Sequence, residues 1–255
     1  MRKLLISALL ILATCCTLAS CSQLSGEGTF SISVAEDQLA LSESRSFENA
    51  SKELSFRIIE NIDNSTLSNY LDQKLSDIRS TDGLYKGEGA DSYYFAATFY
   101  LKNEGDESVT YRESISLDCT QKGMEKALRI LIIKDADPDD DDLGLIEVYA
   151  APTADGEAEE VVPTNHYFTK GYMPQADNGI YQGFTFDEED IREDGVWMSK
   201  PFVSDTCAMK GEKQSIVSKQ VVKYTLLVWL EGNDEQCTDE ILGGKVDLSL
   251  KFEEN

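Results

Sequence analysis

One acidic run of the chain has the residue types and spacing of a metal-binding loop. Asp135, Asp137 and Asp139 match the first three ligand positions of an EF-hand loop, and Ca²⁺ prefers oxygen ligands of this kind. Asp140 stands where that loop needs glycine, and Ile146 stands where it needs a bidentate glutamate. The pattern therefore predicts either a solvated acidic loop between two strands or a weak Ca²⁺ site formed by the three alternate aspartates.

Catalytic chemistry is less well supported by the sequence. The chain has a single histidine, His166, which excludes metal sites with several histidines and is the one candidate base for a Ser/His/Asp site. No Gly-x-Ser-x-Gly motif accompanies it, so we expect His166 to be structural or exposed. Paired carboxylates could act as acid and base on a glycoside, but acidic residues are too numerous to single out a pair. We therefore predict no catalytic residue and no enzymatic activity.

Composition limits the partners of the chain. The 255 residues include 47 Asp and Glu against 23 Lys and Arg, a net charge of −24. Binding to nucleic acid needs clustered basic residues, and adsorption to anionic lipid headgroups needs the same. We therefore expect the protein to bind neither nucleic acid nor anionic lipid headgroups. The 41% content of hydrophobic residues is typical of a folded globular domain.

The N-terminus has the pattern of an export signal. Residues 1–3 are basic, residues 4–12 are apolar apart from one serine, and Leu-Ala-Ser-Cys follows at 18–21. These four residues resemble the lipobox of bacterial lipoproteins, in which the cysteine is lipidated and becomes the mature N-terminus. The resemblance implies that Cys21 carries the lipid. The alternative is an ordinary secretory signal cut near Ala19.

The lipobox reading divides the chain into three parts. Residues 1–20 are predicted to be a signal peptide, 21–28 a short polar tether and 29–255 a single domain. The mature protein is expected to be exported and anchored by its lipid on the extracytoplasmic face of the cell membrane. The lipid is then its contact with the membrane, because no second apolar stretch of transmembrane length follows.

The remaining cysteines allow one disulfide bond. The mature domain keeps Cys119, Cys207 and Cys237, and an exported protein meets conditions in which disulfides persist. We expect a bond between Cys207 and Cys237, because one strand-length run between them could bring the ends together. Connectivity stays open, since spacing does not determine it. No Cys-x-x-Cys occurs, so neither a redox motif nor a zinc knuckle is predicted.

Periodicity predicts a β-rich domain with one amphipathic helix. Alternating apolar residues indicate about eight to ten strands. A helix is indicated by Leu67, Leu71, Leu75 and Ile78, which share one helical face. The strands do not alternate with helices, so we predict an all-β, mainly antiparallel β-sandwich of jelly-roll type. Strands are expected at 29–34, 54–59, 93–101, 109–117, 128–133, 143–149, 184–186, 196–203, 221–230 and 246–252, with 93–101 and 109–117 forming a hairpin.

Two segments carry a resemblance to a known group of proteins. The ending Trp-Leu-Glu-Gly…Asp…Cys…Asp…Ile-Leu-Gly-Gly from position 229, together with Phe-Tyr-Leu-Lys-Asn-Glu-Gly at 99–105, resembles exported Gram-positive surface proteins of the TasA/camelysin type. The resemblance covers about residues 93–133 and 220–252 and implies a jelly-roll sandwich that assembles into fibres. In such fibres an N-terminal strand is donated to the neighbouring subunit, a form of strand addition. By position, the donor strand here is formed by Thr29, Phe30, Ile32 and Val34.

These observations favour a non-enzymatic, lipid-anchored cell-surface protein with a role in adhesion or the biofilm matrix. Its partners would be copies of itself, matrix components or a host surface, and no cofactor is predicted apart from the weak Ca²⁺ site. A surface lipoprotein that binds carbohydrate or another ligand is the alternative, and it would need an exposed aromatic groove; Trp197 and Trp229 are expected in the core instead. A carboxylate-based hydrolase is the third hypothesis.

Overall fold

The computed structural model describes residues 28–58, 75, 77–87, 94–135, 144–161, 184–185 and 196–254. Leu75 and residues 77–80 are helical, and short 3-10 turns lie at Met124–Lys126 and Asp239–Ile241. The strands are β1 Gly28–Val34, β2 Leu39–Ser42, β3 Glu53–Ile58, β4 Gly83–Leu84, β5 Tyr94–Asn103, β6 Val109–Thr120, β7 Leu128–Asp135, β8 Gly144–Ala150, β9 Phe184–Thr185, β10 Lys200–Pro201, β11 Cys207–Lys210, β12 Gln214–Ile216, β13 Val221–Leu230 and β14 Val246–Glu253.

The strands form two sheets. The six-stranded sheet has the order β11, β6, β14, β1, β3, with β12 also paired to β6. The eight-stranded sheet has the order β10, β8, β7, β13, β5, β2, with β4 on β5 and β9 on β8. Both sheets are mixed, because β1 runs parallel to β14 and β8 runs parallel to β9 and β10. The predicted β-rich class is confirmed, while the sheets are not purely antiparallel.

The main core lies between the two sheets. Alternate residues of each strand point to one face, so β1 directs Phe30 and Ile32 inward while its serines point outward. Both inward side chains are fully buried. The ring of Phe30 in the six-stranded sheet lies 5.7 Å from that of Phe95 in the eight-stranded sheet, which is direct contact between the layers. Burial of this shared apolar surface drives the two sheets together.

A third layer covers the other face of the eight-stranded sheet. Leu75 and Ile78, two of the four residues that predicted the helix, are buried there with Trp197 and Trp229. The expectation that both tryptophans belong to the core is confirmed. Because both faces are covered, β5 is buried at nearly every position rather than at alternate ones.

The predicted hairpin between residues 93–101 and 109–117 is wrong. The two segments do form β5 and β6, but β5 belongs to the eight-stranded sheet and β6 to the six-stranded sheet. Asn103, which is fully buried, fixes the crossing: its side chain donates to the carbonyls of Glu107 and Ile216 and accepts from the Gly105 amide. A turn signal between two alternating runs identifies the turn but not the pairing of the runs.

The predicted disulfide between Cys207 and Cys237 is also wrong. Cys207 lies in β11 at an edge of the six-stranded sheet, and its thiol donates to the carbonyl oxygen of Met209. Cys237 follows β13 and packs against the core, and no disulfide joins the two cysteines. The reason is the path between them, which is not one strand: it forms the rest of β11 and then β12 in the six-stranded sheet before it enters β13 of the eight-stranded sheet. Helices in the described part of the chain are all too short or too polar to cross a membrane.

Candidate functional site

A cluster of five polar side chains lies between the two sheets at one end of the core. It is built from two cross-strand pairs, because Gln214 is paired with Tyr111 in the six-stranded sheet and Tyr224 with Lys134 in the eight-stranded sheet. Glu113 lies two residues after Tyr111 in β6 and therefore points to the same face. We call this group the inter-sheet cluster; its members are Tyr111, Glu113, Lys134, Gln214 and Tyr224.

Hydrogen bonds and one ion pair link the five side chains in a continuous series. The Tyr224 hydroxyl donates to Oε2 of Glu113 over 2.9 Å, and the Tyr111 and Tyr224 oxygens are 3.2 Å apart. Tyr224 has one hydroxyl hydrogen, so Tyr111 is the donor in the second bond. Oε1 of Glu113 lies 3.6 Å from Nζ of Lys134, and that Nζ also donates to Oε1 of Gln214. The lysine nitrogen is thus held between a carboxylate and a carboxamide.

The surroundings of Lys134 are mostly aromatic. Its Nζ lies 5.7 Å from the ring centroid of Tyr111 and 5.6 Å from that of Tyr224, and Phe252 packs edge-on against both rings. Burial lowers the pKa of the Lys134 amine, and the negative charge of Glu113 opposes this effect. Burial raises the pKa of the Tyr224 hydroxyl, which stays protonated as a donor. An amine with a lowered pKa is a stronger candidate nucleophile than an ordinary lysine.

A second polar cluster lies at the end of β13. Arg129 and Asp234 form an ion pair of 2.9 Å in which both side chains are almost completely buried. The indole nitrogen of Trp229 donates to Glu231 over 3.0 Å, and the Asn233 amide donates to the other oxygen of that carboxylate. The segment that begins Trp-Leu-Glu-Gly therefore holds the strand end in place, and its carboxylates are engaged in structural contacts.

Glu159, beside this cluster, gives a pH-dependent prediction. Burial and the neighbouring carboxylates, chiefly Asp234, raise the pKa of Glu159, although Arg129 opposes them. Because the folded state then binds a proton more tightly than the unfolded one, stability falls as pH rises above the unfolded pKa of 4.5. We expect Glu159→Gln to raise the melting temperature at pH 7 by about 1–2 °C, since solvent screening keeps the effect small. Thermal melts between pH 4 and 8 test this.

The matched control for that prediction is Glu157→Gln, which changes an exposed glutamate two residues earlier. It should leave the melting temperature unchanged across the range. The gain from Glu159→Gln should shrink as pH falls toward 4.5, because the wild-type carboxyl then becomes neutral as well. A lower melting temperature for Glu159→Gln at pH 7 would contradict the assigned cause.

The predicted site residues lie in separate places. Asp135 is buried and receives two hydrogen bonds from Arg79, at 2.9 and 3.0 Å, so both of its carboxylate oxygens have a partner. Asp137, Asp139 and His166 lie outside the described residues, as does Cys21. Within the ranges that the structure describes, no three His, Cys, Asp or Glu side chains converge as metal ligands would.

The predicted donor strand lies within its own chain. Thr29, Phe30, Ile32 and Val34 all belong to β1, which is paired on one side to β14 and on the other to β3. Thr29 is fixed further by Asp247, whose carboxylate accepts from the Thr29 amide and hydroxyl, each over 2.9 Å. In this structure β1 completes the sheet of the subunit to which it belongs.

Sequence reasoning did not identify the inter-sheet cluster, although the sequence contains a signal for part of it. Glu113 occupies an inward position in a strand whose neighbouring inward positions are Tyr111 and Ile115. Lys134 ends an apolar run from 128 to 133. A charged residue at an apolar position of a strand indicates a buried partner. Gln214, which accepts the hydrogen bond from Lys134, lies in a three-residue strand with no distinctive pattern.

No protein-family model, no curated protein and no solved structure matches this chain. The resemblance to TasA/camelysin-type proteins stays a prediction.

Proposed function

We propose that the chain is a non-enzymatic, lipid-anchored cell-surface protein on the extracytoplasmic face of the membrane, with a role in adhesion or the biofilm matrix. We further propose that its two packed sheets form a sandwich of the jelly-roll type. The observation that carries the proposal is the short distance in sequence between the predicted lipid site and the folded domain. Gly28, the first residue of β1, comes seven residues after Cys21.

A tether of this length keeps the domain close to the membrane. Seven extended residues span at most about 25 Å. The tether enters an interior strand of the six-stranded sheet, so the anchor is joined directly to the hydrogen-bonded core of the domain. This supports presentation of a rigid domain at the surface, rather than a long flexible reach.

The outer face of the six-stranded sheet is polar and suits contact with a hydrated partner. A row of serines crosses four strands at one level: Ser31 of β1 is paired with Ser55 of β3 and with Ser249 of β14, which is paired with Ser116 of β6. Ser249 is buried, so the members of the row that a partner can reach are Ser31, Ser55 and Ser116. Hydroxyls both donate and accept hydrogen bonds, as contacts with matrix polymers require. This row supports the adhesion or matrix role.

The alternatives lack comparable support. A carbohydrate-binding lipoprotein would use exposed aromatic residues, but Trp197 and Trp229 are buried. A carboxylate hydrolase would need two carboxylates available to substrate, whereas Asp234 is bound to Arg129 and Glu231 to Trp229. Self-association by strand donation remains compatible with the proposal, and it would be an exchange of β1 between copies.

Replacement of Cys21 with alanine tests the anchor. We expect Cys21→Ala to abolish incorporation of labelled fatty acid and to move the protein from the detergent phase to the aqueous phase in a Triton X-114 partition. The physical reason is that the acyl chains supply the apolar surface that binds the membrane. Cys207→Ala, a change of the same type at a thiol in β11, should leave both readouts at the wild-type level. Unchanged partition of Cys21→Ala would refute the lipid-anchored part of the proposal.

A further inference from the structure

The inter-sheet cluster has the arrangement of a self-made covalent cross-link. Its nucleophile is the amine of Lys134, its electrophile is the carboxamide of Gln214, and the two are in direct contact. Glu113, the third partner, lies within 3.6 Å of the amine. We propose that Lys134 and Gln214 form an intramolecular amide bond, with Glu113 as the catalytic acid and base.

The fold holds the Lys134 amine and the Gln214 carboxamide close enough to react. The two residues are 80 positions apart in the chain, yet β7 and β12 bring Nζ of Lys134 against the amide group of Gln214. Holding two groups in contact converts a slow bimolecular reaction into a far faster unimolecular one. The fold thus positions the two reacting groups, as an enzyme does when it binds two separate substrates.

The surroundings favour the reactive form of each group. A lysine attacks as the neutral amine, and burial lowers the pKa of Lys134 toward that form. Burial among the rings of Tyr111, Tyr224 and Phe252 limits access of water, which would compete as a nucleophile. The Tyr224 hydroxyl, bonded to Oε2 of Glu113, leaves Oε1 as the oxygen nearer to the lysine.

The reaction balances without a further reagent. Glu113 first takes a proton from the Lys134 ammonium, and the amine lone pair then forms a bond to Cδ of Gln214. The carboxyl of Glu113 gives its proton to the departing nitrogen and receives one from Nζ. The bond from Cδ to the original amide nitrogen breaks, ammonia leaves and Nζ is now an amide nitrogen. Nothing is oxidised or reduced, and the extra proton of Glu113 returns to water.

The product would join the two sheets covalently. Lys134 belongs to β7 of the eight-stranded sheet and Gln214 to β12 of the six-stranded sheet, so unfolding could no longer separate these two strands. The bond would resist reducing agents, unlike a disulfide. This inference does not depend on the lipid anchor or on assembly, and its test can fail while the proposed function stands.

Mass spectrometry of purified residues 22–255 tests the cross-link. We expect an intact mass below the sequence mass by one ammonia, and a tryptic digest in which the peptide containing Lys134 is joined to the peptide containing Gln214. Fragmentation must place the bond between these two side chains, because loss of ammonia elsewhere would give the same intact mass. A mass reduced by one water instead, with Lys134 joined to Glu113, would overturn the assignment of Gln214 as electrophile.

Variants test the parts played by Lys134 and Glu113. Lys134→Arg and Glu113→Gln should each restore the full sequence mass and give separate peptides, whereas Lys219→Arg, at an exposed lysine, should keep the cross-link. Circular dichroism establishes whether each variant is folded. The wild-type digest is decisive whether or not a variant folds: two separate, unmodified peptides from folded wild-type protein would overturn the proposal.

Discussion

Asp234→Ala is expected to lower the free energy of unfolding by about 3–5 kcal/mol, because removal of one partner leaves a buried charge without compensation. The Arg129 side chain is fully buried, and Asp234 accepts its Nη2 hydrogen bond over 2.9 Å. The same carboxylate accepts from the Gln236 amide, which fixes the turn after β13. Urea denaturation followed by tryptophan fluorescence measures the loss, since Trp229 lies in the same region.

Two further variants decide whether the unpaired charge is the cause. Asp155→Ala removes an exposed aspartate in a loop and should change the unfolding free energy by less than about 0.5 kcal/mol. The double variant Arg129→Met/Asp234→Leu removes both charges and should recover most of the loss, because apolar residues of similar volume often replace a buried ion pair without cost. If Asp234→Ala costs less than the control, or if the double variant is worse than the single one, the ion pair does not have the assigned role.

This ion pair shows which contacts the sequence could and could not predict. The segment from Trp229 is distinctive as a sequence, and it begins within the strand predicted at 221–230, which is β13. Its partner Arg129 lies 105 residues earlier. A charged residue in the apolar run 128–133 indicates that Arg129 has a buried partner, but nothing near it identifies Asp234 as that partner. Alternation of apolar residues reports which face of a strand is buried, but it does not identify the residue across the core.

Strand pairing was limited in the same way. Strands β1, β13 and β14 were predicted within about one residue of their ends, because their apolar periodicity or run length is clear. The pairing of β5 with β6 was predicted wrongly, since the turn at Asn103 carries the chain into the other sheet. The same turn residues can join two strands of one sheet or carry the chain into the other sheet. Which of the two occurs depends on β13 and β14, which come more than one hundred residues later.

The inter-sheet cluster depends on contacts between still more distant segments. Glu113, Lys134 and Gln214 come from three strands, and only the fold makes them neighbours. Two of the three could have been noticed as polar residues at or beside apolar positions, whereas Gln214 could not. The predicted Ca²⁺ site, in contrast, was identified from neighbouring residues of one acidic run. In the structure, however, the carboxylate of Asp135 accepts hydrogen bonds from Arg79. Spacing along the chain identified that aspartate but not its partner.

Phe30→Ala is the second change with a large expected effect, a loss of about 3–5 kcal/mol in unfolding free energy through the cavity it leaves. The Phe30 ring is fully buried and lies 6.3 Å from that of Phe56 and 5.7 Å from that of Phe95, so it contacts both sheets. Ser31→Ala, at the next position but on the outer face, should change stability by less than about 0.5 kcal/mol. Urea denaturation of both variants measures the difference, and equal losses would contradict the inward placement of Phe30.

The same strand decides whether copies of the chain exchange β1. A chain that lacks residues 28–34 should leave a gap between β14 and β3, and a synthetic peptide of those seven residues should bind there with Phe30 again opposite Leu248 and Phe56. A one-residue shift turns every side chain to the other face, so a peptide with its apolar and polar positions interchanged should not bind.

If strand exchange drives assembly, light scattering of residues 22–255 should show oligomers that grow with concentration and that excess peptide disperses. Monomers at every concentration would show that β1 stays in its own sheet, and the matrix role would then depend on the outer face of that sheet.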